Sequence, residues 1–98
     1  MTSQEALAVL QKHGDELRAR GILHAALFGS MARGEAMAGS DIDILIEVDP
    51  DLKLDIFGYA GLKRYVSELF TAPVDVVSKD ALKPSLRQPV AADAVYAF

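Results

Sequence analysis

Hydrophobic and polar positions alternate most regularly near the middle of the chain. One register holds Ile42, Ile44, Ile46 and Val48, and the other holds Asp41, Asp43, Leu45 and Glu47. A repeat of two residues is typical of a half-buried strand, because successive side chains of a strand point to opposite faces. The pattern predicts a strand from Asp41 to Val48 with Asp41 and Asp43 on one face, closed by Pro50.

Helical spacing dominates the first twenty residues. Thr2 and Glu5 have the spacing of a capping box, and apolar residues then recur every three or four positions as far as Gly21, a glycine suited to ending a helix. Gly14 lies in the middle of this segment, where glycine weakens a helix by about 1 kcal/mol. We therefore predict a first helix with a bend or an early break at Gly14.

A second helix and a second carboxylate-bearing strand follow the alternating segment. Asp55 is a suitable N-cap for a helix from Ile56 to Phe70, whose apolar stripe is expected to pack in the core. After Pro73, the segment Val74-Asp75-Val76-Val77 is short and β-branched enough to be a central strand. An unpaired buried charge costs several kcal/mol, so Asp75 must be exposed, paired or bound to a cation. A simple edge-strand Asp remains an alternative.

Two prolines divide the C-terminal segment. Pro84 suits the first turn of a helix, whereas Pro89 is expected to break a continuous helix into two short turns. The apolar end, residues 94–98, is expected to form an edge strand or to pack on the sheet. Together these elements predict an α/β (α+β) fold, a small mixed β-sheet with helices packed against it.

A turn with the features of a phosphate-binding site precedes the alternating strand. The apolar run from Ala25 to Phe28 ends in Gly29-Ser30, and Met31-Ala32-Arg33 then resembles the start of a helix. Such a junction directs free backbone N–H groups at a ligand, and glycine lets a phosphate approach the backbone closely. Ser30 adds a hydroxyl donor and Arg33 a forked cation. Gly-Ser alone is usually only a turn. The prediction of a nucleotide site therefore depends on its occurrence together with Ser40 and the pair Asp41 and Asp43, with ten residues between Ser30 and Asp41.

The predicted pair of carboxylates suits a divalent metal ion. At a rise of about 3.3 Å per residue, the Cα atoms of Asp41 and Asp43 lie about 6.6 Å apart with parallel side chains. Two like charges so close are tolerated when solvated or neutralised by a cation, and carboxylate oxygens suit Mg²⁺ or Mn²⁺. If the strand of Asp75 lies beside this strand, Asp75 completes a cluster of three carboxylates.

Composition narrows the class of protein. With 98 residues, the chain has room for one domain, residues 1–98. A net charge of −4 argues against strong non-specific binding of nucleic acid. There is no cysteine, no segment long enough to span a membrane and no targeting pattern, so a cytoplasmic protein is expected. His13 and His24 have no spacing that supports catalysis, and we expect surface or strand-edge positions for both.

The two motifs together resemble a known family. Leu27-Phe28-Gly29-Ser30-Met31-Ala32-Arg33-Gly34, followed by Ser40-Asp41-Ile42-Asp43, is similar to the signature of the DNA polymerase β-type nucleotidyltransferases, and most similar to the minimal nucleotidyltransferases that accompany HEPN-domain proteins in toxin–antitoxin pairs. The resemblance implies two Mg²⁺ ions, with Asp41 and Asp43 bridging both and Asp75 holding the ion that activates the acceptor. It also implies nucleotide contacts from Gly29, Ser30, Arg33 and Ser40.

Two classes of function follow from this resemblance. The first is an enzyme that transfers a nucleoside monophosphate, AMP from ATP, to a hydroxyl of a partner HEPN toxin, for which the family suggests a tyrosine. The second is a binding module that neutralises its partner by contact. Retention of Gly29, Ser30, Asp41, Asp43 and Asp75 together favours the enzyme, because clustered negative charge brings a binder no benefit.

Overall fold

The computed structural model describes residues 2–29 and 42–98. In chain order, its helices are α1 (Ser3–Lys12), α2 (Gly14–Ala19), α3 (Ile56–Glu68) and α4 (Pro84–Asp93). Its strands are β1 (Ile22–Leu27), β2 (Ile42–Val48), β3 (Val74–Ser78) and β4 (Val95–Tyr96). Short 3₁₀ turns follow β2 and β3, at Pro50–Leu52 and Lys79–Ala81.

The four strands form one mixed sheet in the order β3-β2-β1-β4. β1 pairs antiparallel with both β2 and β4, whereas β2 and β3 run parallel. Parallel neighbours require a crossover connection, and α3 provides it. The mixed α/β fold that the sequence predicts is therefore confirmed.

The first helix is broken where the sequence indicates. The Thr2 hydroxyl accepts a hydrogen bond from the Glu5 backbone N–H at 3.1 Å, and the Glu5 carboxylate accepts one from the Thr2 N–H at 3.2 Å, which confirms the capping box. α1 ends at Lys12, His13 is its C-cap, and α2 begins at Gly14. Gly21 then ends the helical segment with a φ of +95°, a left-handed conformation that costs glycine little.

Alternation along β2 separates the core from the opposite face of the sheet. Ile42, Ile44 and Ile46 are almost completely buried and pack in the core cluster. The helices contribute further core residues, Leu10, Leu17, Leu62 and Val66, and Phe70 joins them just after α3. The predicted repeat of two is confirmed from Ile42 onward; Asp41, the first residue of the predicted strand, lies outside the described residues.

Two expectations about the second half of the chain are wrong. β3 is an edge strand of the sheet formed by the described residues, not a central one, because its only neighbour there is β2. Pro89 lies inside a continuous α4 and does not divide it. The carbonyl of Ser85 loses its N–H partner to the proline ring, but Ser85 and Pro89 are both exposed, so water can replace that hydrogen bond. The terminal segment forms the edge strand β4, as predicted.

Among residues 2–29 and 42–98, no helix combines the length and the apolar character that crossing a bilayer requires.

Candidate active site

The turn after β1 packs directly against a predicted metal ligand. The Phe28 backbone N–H donates to the Asp43 carbonyl at 3.1 Å, which fixes the end of β1 beside the start of β2. Gly29 follows with a φ of +67°, and a β-carbon built on it would lie 2.6 Å from Oδ2 of Asp43. Position 29 therefore requires glycine both for its backbone conformation and for the space that the Asp43 carboxylate occupies.

Asp43 and Asp75 lie opposite each other on neighbouring parallel strands. Hydrogen-bonded strands are about 4.8 Å apart, and residues paired in register point to the same face of the sheet. Asp43 is half-buried and Asp75 is exposed. The structure thus brings Gly29, Asp43 and Asp75 together at one end of the sheet, although 46 positions separate Gly29 from Asp75 along the chain.

The other members of the predicted site are outside the described residues. These are Ser30, Arg33, Ser40 and Asp41, together with the predicted loop from Gly34 to Gly39. The described residues alone contain no group of three histidine, cysteine or carboxylate side chains able to hold a metal ion. The predicted cluster of three carboxylates therefore depends on Asp41, which lies outside the described residues.

A carboxylate that sequence reasoning did not single out lies near the glycine turn. Phe28 and Gly29 line an open cavity of about 160 Å³ together with Pro89, Val90 and Asp93 of α4. α4 reaches this position because β4, which follows it at once, pairs with the end of β1 through Leu27 and Val95. No local pattern marks Asp93, since its proximity to Gly29 depends on this return of the chain to β1.

Glu47 shares the sheet face of Asp43 but takes part in a different cluster. The Cα atoms of Asp43 and Glu47 are four residues apart along β2, a distance of about 13 Å. Glu47 accepts a hydrogen bond from Nζ of Lys79 at 2.7 Å, and this contact raises the pKa of Lys79. Nε2 of His24 lies 4.0 Å from Glu47, and its Nδ1 lies 3.2 Å from the Phe98 carbonyl. His24 is therefore at the end of the sheet opposite Asp75.

The apolar stripe predicted for the segment from Ile56 to Phe70 serves packing. Phe70 is buried, and Tyr65 packs partly buried against the core. The Tyr65 hydroxyl donates to Oε2 of Glu16 at 2.5 Å, which raises the pKa of Tyr65 and lowers that of Glu16. The Arg20 guanidinium lies over the Tyr65 ring, 3.8 Å from its centroid. These contacts join α2 to α3.

Comparison with known proteins identifies the family. The sequence model of the nucleotidyltransferase domain family matches residues 10–96 of this chain. The chain belongs to this family. A protein adenylyltransferase MntA of Thermococcus cleftensis is 35% identical over 97 residues, which are 98% of this chain and 96% of that protein.

Solved structures support the same family. A protein classed as a minimal nucleotidyltransferase superposes with a TM-score of 0.80 at 30% identity, covering 97% of this chain and 95% of that one. The fold also matches, with a TM-score of 0.64, a structure of a tri-AMPylated Shewanella oneidensis HEPN toxin in complex with an MNT antitoxin. The identity there is 20%, and the match covers 94% of this chain and 71% of the other. The resemblance read from the Gly-Ser and Asp-x-Asp motifs is confirmed: the chain is a minimal nucleotidyltransferase.

Proposed function

We propose that this nucleotidyltransferase is a metal-dependent protein adenylyltransferase that transfers AMP from ATP to a tyrosine hydroxyl of a HEPN-domain partner, and that it acts as an antitoxin. The observation that carries the proposal is the placement of Asp43 opposite Asp75, with the backbone of Gly29 packed against the Asp43 carboxylate. This arrangement is built from three separate segments of the chain.

The donor and the acceptor are suggested by the relatives. The relative from Thermococcus cleftensis is named for protein adenylylation, and the chain covers nearly all of it. The HEPN toxin of the structural neighbour carries AMP groups and is bound to an MNT antitoxin.

The carboxylates present fit a pair of Mg²⁺ ions. Asp43 and Asp75 supply hard oxygen ligands from adjacent strands, and Asp41 adds a third carboxylate two residues before Asp43. When bound, such ions supply charge neutralisation at the phosphates and lower the pKa of an attacking hydroxyl. In the proposal Asp41 and Asp43 would hold both ions, and Asp75 would hold the ion on the acceptor side.

The residues of this chain position the reactants for an in-line displacement. Gly29 and Ser30 hold the outer phosphates, with Arg33 and Ser40 as further nucleotide contacts. The tyrosine oxygen forms a bond to the α-phosphorus while the bond from that phosphorus to the bridging oxygen breaks, and pyrophosphate leaves with the bonding electron pair. Asp75 is exposed, so it can accept the hydroxyl proton directly from the acceptor.

Transfer is tested by mass spectrometry of the intact proteins. The chain is incubated with ATP, Mg²⁺ and a HEPN-domain protein, and each modified tyrosine is expected to gain the mass of one AMP. EDTA and Asp75→Asn are each expected to abolish the gain, while the complex with the partner still forms. Asp51→Asn is the matched control, because Asp51 is an exposed carboxylate at the other end of the sheet.

A binder would give a different result. Wild type and Asp75→Asn would then neutralise the partner equally, with no gain in mass in either case. That outcome would replace the enzymatic proposal with inhibition by contact.

A further inference from the structure

The cavity beside Gly29 lies on the same face of the sheet as Asp43. Leu27 belongs to the core cluster, and side chains alternate along an extended chain, so Phe28 points to the face opposite the core. The Phe28 backbone N–H donates to the Asp43 carbonyl at 3.1 Å, so these two residues are direct neighbours. Phe28 is half-buried and, like Asp43, lies outside the core cluster. Phe28 therefore forms a wall of the cavity next to Asp43.

α4 forms the facing wall of this cavity. β3 and β4 are the two edges of the sheet formed by the described residues, so the chain between them must pass from one edge to the other. No residue of α4 belongs to the core cluster, whereas Pro89, Val90 and Asp93 line the cavity together with Phe28. α4 therefore lies on the face of Asp43, and its last residue, Asp93, reaches the candidate site.

Asp93 is a carboxylate in a position that does not favour a negative charge. It is the last residue of α4, where the helix dipole disfavours anionic side chains. It is exposed, and it forms neither a hydrogen bond nor an ion pair with the described residues. An ionised carboxylate can only accept hydrogen bonds, so a ligand that pairs with Asp93 must bring donors. Departures from local rules of this kind are expected at functional sites.

The proposed reaction limits which part of ATP can enter this cavity. Asp75, Asp43 and Gly29 lie on three neighbouring segments across one end of the sheet. An in-line displacement needs the acceptor, the α-phosphorus and the leaving pyrophosphate on one line, and these three residues mark that line in the proposal. The ribose is bonded to the α-phosphate and must leave the line. The cavity lies off it, between the face of the sheet and α4.

The size and lining of the cavity also fit a ribose. Its volume of about 160 Å³ is below the range of about 300–1,000 Å³ for pockets that hold a whole drug-sized ligand. Phe28, Pro89 and Val90 give it apolar walls for the carbon atoms of a sugar, and Asp93 gives it an acceptor for hydroxyl groups. The amino group of adenine is also a donor, but it lies at the far end of the nucleotide from the phosphates that Gly29 is proposed to hold.

We propose that this cavity is the ribose subsite of the nucleotide site and that the Asp93 carboxylate accepts hydrogen bonds from the ribose hydroxyl groups. Phe28 and Val90 contact the carbon atoms of the sugar. Acidic side chains accept hydrogen bonds from ribose hydroxyls in the same way in dinucleotide-binding folds. This inference rests on the proposed function and extends it, because it assigns the choice of a ribonucleotide to a residue of α4.

Nucleotides with and without the hydroxyl groups test the proposal. Calorimetry in Mg²⁺ measures the affinities for ATP and for 2′,3′-dideoxy-ATP. Wild type should bind ATP about tenfold more tightly, the value of a hydrogen bond to a charged group. Asp93→Ala should bind the two nucleotides equally, because the acceptor is missing. Asp51→Ala is the matched control, since it removes an exposed carboxylate at the other end of the sheet, and it should keep the wild-type ratio.

Two further measurements separate ribose binding from a structural role of Asp93. Asp93→Ala should leave the melting temperature of the free protein unchanged or raise it, since it removes a charge that the helix dipole disfavours. Asp93→Asn keeps the size of the side chain and an uncharged acceptor, so its ratio of affinities should lie between those of wild type and Asp93→Ala. A merely structural residue would lower the melting temperature in both variants and leave the ratio at the wild-type value.

The outcomes distinguish this inference from the proposed function. If wild type transfers AMP but Asp93→Ala keeps the wild-type ratio, or wild type does not distinguish the two nucleotides, the ribose subsite is wrong and the proposed function stands. If Asp93→Ala binds both nucleotides more tightly with an unchanged ratio, Asp93 only repels the phosphates, which also overturns the inference. If wild type binds neither nucleotide, alone or with a HEPN-domain protein, the inference and the proposed function are both wrong.

Discussion

The two ends of the β2–β3 pair differ in how they place charge. At the start of the pair, Asp43 and Asp75 lie opposite each other as two carboxylates. Four residues further along, Glu47 meets the ammonium of Lys79 at 2.7 Å. Opposite charges stabilise a sheet, whereas like charges directly opposite each other destabilise it. This difference supports the proposal that the first end binds a cation, whereas the ion pair at the second end stabilises the fold.

The two ends of β1 show the same difference through their glycines. Gly21 and Gly29 both have positive φ, of +95° and +67°. An added β-carbon at Gly21 would meet the flexible side chain of Leu52, whereas at Gly29 it would meet the Asp43 carboxylate. The same backbone device thus serves a structural turn at one end and the candidate site at the other.

The largest expected effect is a loss of AMP transfer when the carboxylate of Asp43 is neutralised, and neutralising Glu47 at the other end is the comparison. Asp43→Asn should reduce AMP transfer by about 10³-fold or more, because a metal ligand contributes several kcal/mol to transition-state stabilisation. Glu47→Gln should leave kcat within about twofold of wild type, since Glu47 contacts Lys79 instead. Steady-state kinetics of pyrophosphate release measures both. Equal losses in the two variants would mean that the ends do not differ in function.

Much of the first end could be predicted from sequence because its signals are local. The repeat of two along β2 places Asp43 on the face opposite the buried isoleucines, as observed. The valines around Asp75 predict a strand, and the cost of a buried charge predicts that this carboxylate is exposed or bound. The exposure of Asp75 and its pairing opposite Asp43 agree with that reasoning.

The rest depends on contacts between distant segments. Glu47 and Lys79 are 32 positions apart, and neither residue carries a local sign of the other. The edge position of β3 follows from the order of all the strands, which no single segment contains. Pro89 was misleading because the rule against proline in a helix assumes a lost hydrogen bond, and an exposed helix such as α4 can replace that bond with water.

An intermediate effect is expected from alanine at the two glycines. Gly29→Ala and Gly21→Ala should each lower the free energy of unfolding by about 1–2 kcal/mol, the cost of a left-handed conformation for a residue with a β-carbon. Only Gly29→Ala should also reduce transfer beyond what unfolding explains, because it displaces Asp43. Urea unfolding and activity at a temperature where both variants are folded provide the measurements. Full activity in folded Gly29→Ala would show that the close contact is dispensable.

The smallest effect concerns pH at the structural end. Glu47 raises the pKa of Lys79 above its usual 10.5, so the stability that this pair contributes is present at neutral pH and is lost as pH rises through the raised pKa. Wild type should melt slightly above Glu47→Gln at about pH 8, and the two melting temperatures should converge once the pH exceeds the raised pKa of Lys79. A difference that persists in strong alkali would contradict this ion pair as its source.

The pairing of β4 with β1 determines when the site can form during synthesis. The cavity at Gly29 needs α4 as one wall, and α4 is held in place by a strand that pairs with residues almost 70 positions earlier. Contacts so distant in sequence form late, because a long loop must close before they stabilise anything. A ribosome-bound chain can fold β1, β2 and α3 well before this happens. Nascent and truncated chains that lack β4 should therefore lack a complete candidate site.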